Sequence, residues 1–156
     1  MRRELIVAAM LVLVSSNVGW SQNAFDKMTN EKMQKILYRE ASDVQGELGN
    51  WQFQIRERPM MILTDVNANR MRIMTPIIEE GELKKDQYKI MLEANFDRAL
   101  DAKYAIYSEV VWSVFTHPLA ELTVEQFKSA MGQVATLADN FGGSYNSTDL
   151  LFGGGN

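Results

Sequence analysis

Three consecutive stretches decide the fold: KKDQYKIMLEANFDRAL (residues 84–100), AKYAIYSEVVWSVFTHP (102–118) and LTVEQFKSAMGQVATLADNF (122–141). They predict a helix, a tight pair of strands and a second helix. In the first stretch, Tyr88, Leu92, Phe96 and Ala99 share one side of a helical projection. Leu83, Ile90, Met91 and Ala94 fall nearly opposite. A helix packed only on its own domain needs a single apolar stripe. Two stripes predict a sandwiched helix, or one whose second side is covered by another chain. A second copy is the simplest cover, because two-fold dimers are the commonest assembly. Tyr88, Ile90, Met91, Leu92, Ala94 and Phe96 are therefore the candidate dimer or partner surface.

The second stretch predicts strands over 102–107 and 110–116, turning near Ser108-Glu109. Val110, Val111, Trp112, Val114 and Phe115 are strongly strand-favouring residues,. His117-Pro118 ends the pair. In the third stretch, Thr123-Val-Glu-Gln126 is a capping box, with Leu122 and Phe127 placed as its hydrophobic staple,. Val124, Phe127, Met131, Val134, Ala138 and Phe141 then recur at three–four spacing. That narrow seam is read as packing on a sheet, since under three heptads seldom hold a coiled coil alone.

Upstream, residues 25–45 read as an amphipathic helix carrying Met33, Ile36, Leu37, Ala41 and Val44, with Leu48 continuing the spacing and Gly46 and Gly49 ending it,. Three strands follow. Trp51, Phe53 and Ile55 alternate with polar residues, and Arg58-Pro59 breaks the run,. Met60–Thr64 is apolar, Asp65–Asn69 is a turn, and Met71, Ile73, Thr75 and Ile77 alternate again,. The expected fold class is α+β, an antiparallel sheet with helices in the order α-β-β-β-α-β-β-α.

Residues 1–21 read as a signal peptide. Arg2 and Arg3 form the basic region, and Leu5–Val14 is an apolar run too short to span a bilayer,. Gly19 and Ser21 suit cleavage after Ser21. The expected organisation is a signal peptide (1–21), one domain (22–142) and a flexible tail (143–156) containing an apolar patch, Leu150–Phe152,. Localisation is then periplasmic or secreted, with no stable membrane insertion after cleavage.

Composition narrows the chemistry. With no cysteine, a disulfide framework, a thiolate metal site and a cysteine nucleophile are all excluded,. The net charge of −4, without a basic run, argues against nucleic acid as a partner,. The single histidine, His117, sits at a strand end and offers no assembled triad,. Glu79, Glu80 and Glu82 are explained by solvation and the dipole of the following helix. Asp65-x-Asn67-x-Asn69 opens like a calcium loop, but Arg70 replaces the required glycine and Pro76 the bidentate Glu,. No metal or cofactor is expected. One compositional feature is positive. Met60, Met61, Met71 and Met74 gather in one predicted hairpin, and methionine is over-used on adaptable binding surfaces,.

The whole pattern resembles the YbjN-like family. The residues that carry it are Leu92-Glu-Ala-Asn95, Lys103-Tyr-Ala-Ile-Tyr107, the Val110–Phe115 strand and Leu122-Thr-Val-Glu-Gln126, within roughly 25–141. That family is labelled a bacterial sensory transduction regulator and is similar in fold to class I type III secretion chaperones. The resemblance implies a compact domain, often dimeric through the helix matching 84–100, that binds polypeptide on sheet and helix surfaces. Such chaperones work in the cytoplasm, whereas an export signal places this chain elsewhere. The expected function is an exported, non-catalytic protein-binding module, chaperone-like or regulatory, with a protein partner and a homodimer. The alternative is a small carboxylate-dependent envelope hydrolase or ligand-binding protein.

Overall fold

A computed structural model describes residues 27–148 of the chain. The expected signal peptide 1–21 and the Leu150–Phe152 patch lie outside the described residues. Helix α1 (Asn30–Glu40) starts where the Thr29 side chain accepts the Lys32 amide,. Four strands follow: β1 (Ser42–Glu47), β2 (Asn50–Ile55), β3 (Arg58–Asp65) and β4 (Arg70–Glu79). A short 3-10 turn (Glu80–Glu82) leads to α2 (Gln87–Asp97). Strands β5 (Lys103–Tyr107) and β6 (Val110–His117) precede α3 (Val124–Asp139). The six strands form one antiparallel sheet in the order β1-β2-β3-β4-β6-β5. The class is α+β, as expected, with one strand more than the sequence pattern discloses.

The extra strand is β1, where the apolar spacing of Val44 and Leu48 points to a longer helix. Ala41 already turns extended and ends α1. Asp43 then takes a positive φ of 51° in an irregular stretch of the β1–β2 register,. Gly46 has φ 103°, and a Cβ there would lie 2.2 Å from the Asn50 carbonyl oxygen, so only glycine fits,. Leu48 sits half-exposed in the β1–β2 turn, away from the core.

A second difference concerns Pro59. The first break falls at Arg56-Glu57, both with positive φ, as a two-residue hairpin turn that matches strand twist demands,. Pro59 lies inside β3 opposite Gln54. Its missing N–H is harmless because the β3–β4 register begins only at Met61,. The Thr75 hydroxyl donates to the Pro59 carbonyl at 2.6 Å. The β5–β6 turn at Ser108-Glu109 also has two positive φ values and stands where the sequence puts it,.

Alternate strand positions make the core: Trp51, Phe53, Met60, Ile62, Met71, Ile73, Val111 and Phe115 all join one cluster,. Met33, Ile36 and Leu37 of α1 and Phe127, Met131 and Val134 of α3 complete it. The capping box forms in full: Thr123 Oγ1 accepts the Gln126 amide at 3.1 Å and Gln126 Oε1 accepts the Thr123 amide at 2.9 Å,. Gly132 stands in the interior of α3, and nothing lies within 4 Å of a Cβ placed there. Gly132→Ala is therefore expected to stabilise the fold by roughly 0.5–1 kcal/mol, seen as a higher thermal midpoint.

Residues 143–148, expected to be flexible, are packed against the domain. Tyr145 is buried and meets the rings of Tyr104 and Phe141 edge-on,. Its hydroxyl accepts from Gln87 at 3.1 Å. Ser147 is also buried, its Oγ accepting the Leu100 amide at 2.7 Å. Residues up to Thr148 thus belong to the described packed body. Loss of helical periodicity after Gly142 hid this, because the contacts are single aromatic and polar anchors.

Candidate interaction surfaces

Helix α2 is held by groups the sequence reading did not single out. Asn95 acts as a short extra strand: its Oδ1 accepts the Tyr104 amide at 2.7 Å and its Nδ2 donates to the Tyr104 carbonyl at 3.1 Å,. Lys103 Nζ donates to the carbonyls of Asn95, Ala99 and Leu100 at 2.6, 3.1 and 2.7 Å, satisfying orphan acceptors at the helix end,. Burial pushes the Lys103 ammonium below its ordinary pKa,. No periodic pattern in the sequence marks this clamp: Asn95 is one of several polar residues of α2, and Lys103 opens the next strand.

With that clamp in place, the two stripes of α2 separate. Met91 and Ala94 are buried, and Ile90 and Leu83 pack partly against the core. The other stripe faces out: Tyr88 is 38%, Leu92 70% and Phe96 89% exposed. The Tyr88 hydroxyl donates to a Glu80 carboxylate oxygen at 3.3 Å. Of the six candidate surface residues, Ile90, Met91 and Ala94 therefore serve the core, and Tyr88, Leu92 and Phe96 are available. Leu92 and Phe96 line a shallow depression of about 590 Å³ with Lys89, Glu93, Asp97 and Arg98. Phe96 is too apolar to be left this exposed at no cost: about 1.5–3 kcal/mol is forgone relative to burial.

The four methionines divide in the same way. Met60 and Met71 are in the core at 1% exposure each. Met61 and Met74 pair across β3 and β4 on the opposite sheet face and are only partly covered. Around them, Leu63 faces Arg72, and Pro76 faces Trp112. Val114, opposite Met74, continues the patch onto β6. The buried apolar residues of α1 and α2, and those of α3 except Ala138, join the cluster of the other sheet face, so the helices pack there among the described residues. A depression of about 250 Å³ beside the patch is lined by Gln45, Gln52, Gln54, Pro59, Met61 and Pro76.

Acid–base chemistry finds little to work with. Glu79 and Glu82 are exposed, and Glu80 faces the Tyr88 hydroxyl. They form no shielded acid pair of the kind general acid–base catalysis uses. Among the described residues no group of three His, Asp or Glu is arranged to hold a metal ion. A polar cleft of about 520 Å³ separates β6 from the start of α3. Two of its polar side chains are already engaged: Gln133 Oε1 accepts the Asp101 and Ala102 amides, and Lys103 is committed to α2. His117 stacks on Phe115 with ring centroids 5.9 Å apart, and its Nδ1 lies 2.8 Å from the Pro118 carbonyl oxygen. The ring is a strand-end packing element.

A chain in the solved structure of the HopA1–SchA chaperone–effector complex is similar to this one, with a TM-score of 0.55 and 11% sequence identity. The match covers 72% of this chain and 94% of that chain. At that identity the likeness establishes the fold, which is type III secretion chaperone-like, and nothing finer. No family model matches the chain. No curated protein matches it either.

Proposed function

We propose that this fold serves as an exported, non-catalytic protein-binding module, chaperone-like or regulatory, working as a homodimer. The observation that carries the reading is a pair of apolar surfaces: Met61, Met74 and Val114 on the sheet, each half-buried, and Leu92 and Phe96 on α2, largely exposed,. Polypeptide binds the sheet face, where methionines adapt to varied side chains. A second copy covers the α2 stripe. The likeness to a chain from a chaperone–effector complex supports a protein partner, and the resemblance to the YbjN-like family belongs to the same proposal.

Binding is tested with a permanently unfolded, carboxymethylated polypeptide and fluorescence anisotropy. The wild-type chain is expected to bind in the micromolar range. Met74→Asp, which places a charge in the middle of the sheet patch, is expected to weaken binding at least tenfold with the circular dichroism spectrum unchanged. Failure of the wild type to bind at hundreds of micromolar would remove the chaperone-like reading.

Export is the other half of the proposal and rests on the apolar run Leu5–Val14 and the Gly19/Ser21 pair,. Protein recovered from the periplasm or medium is expected to begin at or near Gln22 on N-terminal sequencing. Soluble, unexported protein that retains Met1 would contradict it.

A further inference from the structure

The described chain ends at the C-terminal end of α2, the helix that carries the open stripe. The Ser147 amide donates to the Arg98 carbonyl at 3.4 Å, and Ser147 Oγ accepts the Leu100 amide at 2.7 Å. Ser147 is 1% exposed, so this anchor is built into the body of the protein. It fixes the chain at the C-terminal end of α2, whose carbonyl end also carries the Lys103 clamp. Three residues further on, the sequence places Leu150, Leu151 and Phe152, the one apolar cluster between Thr148 and Asn156.

The distances suit an encounter. Leu150 lies within about 10 Å of Ser147 along an extended chain. Phe96 stands two residues before Arg98, about 3 Å back along the helix axis, and Leu92 six residues before, about 9 Å back. Two positions are about 200° of helical rotation, so the segment must also round α2, about 10 Å across, to reach Phe96, and the chain from Ser147 to Phe152, about 16 Å extended, is long enough for that. It also matches the stripe in kind, two leucines and a phenylalanine against a leucine and a phenylalanine.

We propose that Leu150, Leu151 and Phe152 dock in cis on the Leu92–Phe96 stripe of their own chain and so regulate its pairing with a second copy. The regulatory half rests on the α2 pairing proposed above. Tethering by so few residues gives an effective concentration in about the millimolar range, enough to hold even a weak apolar contact occupied much of the time. Occupancy of about 50–90% leaves an open fraction of about 0.5–0.1 in each copy, and both copies must open to pair. The dimer is then weakened about 4–100-fold relative to a chain whose segment cannot dock.

The test uses the whole mature chain with photoreactive benzoylphenylalanine in place of Phe152, irradiated at low micromolar concentration. The expected adducts lie between residues 90 and 98 and run at monomer mass. A second arm compares the wild type with the triple variant L150D/L151D/F152D by sedimentation equilibrium, where the variant is expected to dimerise about 4–100-fold more tightly. Absence of adducts, adducts elsewhere, or α2 adducts only at dimer mass would overturn docking in cis. Equal dimerisation of the two proteins would overturn the regulatory role. If monomer-mass adducts form on α2 and neither protein self-associates, docking stands and the homodimer reading falls. If both dimerise alike without adducts, the homodimer stands and docking falls.

Discussion

Phe127→Ala is expected to cost about 3–5 kcal/mol, the largest stability loss available from one side chain of α3. Phe127 is fully buried and stands one turn into the helix, four positions past the Thr123 cap. Leu122, 2% exposed, is its partner in the staple that sets how the chain enters α3,. Truncation therefore opens a cavity under the sheet and loosens the start of the helix together. Domains of this size are stable by only about 5–15 kcal/mol, so a large fraction of the population shifts toward unfolding at moderate denaturant. Urea unfolding followed by circular dichroism measures the loss. Phe127→Leu, which keeps most of the volume, is the control and is expected to lose far less. A loss below about 1 kcal/mol for the alanine variant would mean that Phe127 is not the keystone that its burial indicates.

Why α3 was legible in the sequence while β1 was not has a physical reason. The start of α3 is encoded locally: Thr123 and Gln126 satisfy each other's amides within four residues, and no distant group is needed,. The β5–β6 hairpin is likewise local, a strand-favouring run around a two-residue turn. Strand β1 has neither signal. Its six residues, Ser-Asp-Val-Gln-Gly-Glu, are nearly all exposed, so no alternation of apolar and polar residues marks them. Pairing with β2 alone makes it a strand, and that is tertiary information,.

The candidate surface was half legible for the same reason. Helical spacing revealed that α2 has two apolar sides, but the side that turns inward is settled by Asn95 on Tyr104 and Lys103 on the helix carbonyls. Those contacts bridge eight and nine residues and carry no periodic signature. Met60 and Met71 were separated from Met61 and Met74 by sheet register, since neighbours along a strand point to opposite faces,. The Tyr145 and Ser147 anchors left no pattern, because single buried contacts after a glycine pair look like any loop.

The sheet edges bear on how a partner is held. At one edge β1 carries a positive φ at Asp43 and at Gly46, a backbone that resists further pairing,. At the other, Asn95 occupies the Tyr104 amide and carbonyl that an added strand would need. Recognition by strand addition is thus impeded at both ends. What remains for a partner is side-chain contact with the methionine-bearing face and with the outer side of α2. Contacts of that kind tolerate varied sequences, which fits the polypeptide binding proposed above.

Phe96→Asp is expected to abolish pairing of two copies while leaving each copy folded. At 89% exposure, Phe96 contributes little to its own domain, and exposed substitutions usually shift stability by within about 0.5 kcal/mol,. In a two-fold interface every residue appears twice, so one substitution removes two rings. Burying each is worth about 1.5–3 kcal/mol as an upper estimate, or about 3–6 kcal/mol per dimer. At about 1.4 kcal/mol per factor of ten, the dimer weakens by roughly two to four orders of magnitude. Leu92→Asp, at 70% exposure, is expected to act in the same direction with less force. Met91→Asp makes the contrast: Met91 is 4% exposed, so a charge there is buried in the core and the fold itself is expected to fail,. Sedimentation equilibrium with parallel circular dichroism separates these outcomes. A wild-type chain that stays monomeric at high micromolar concentration would defeat the homodimer. A Phe96→Asp protein that pairs as tightly as the wild type would move the interface away from α2.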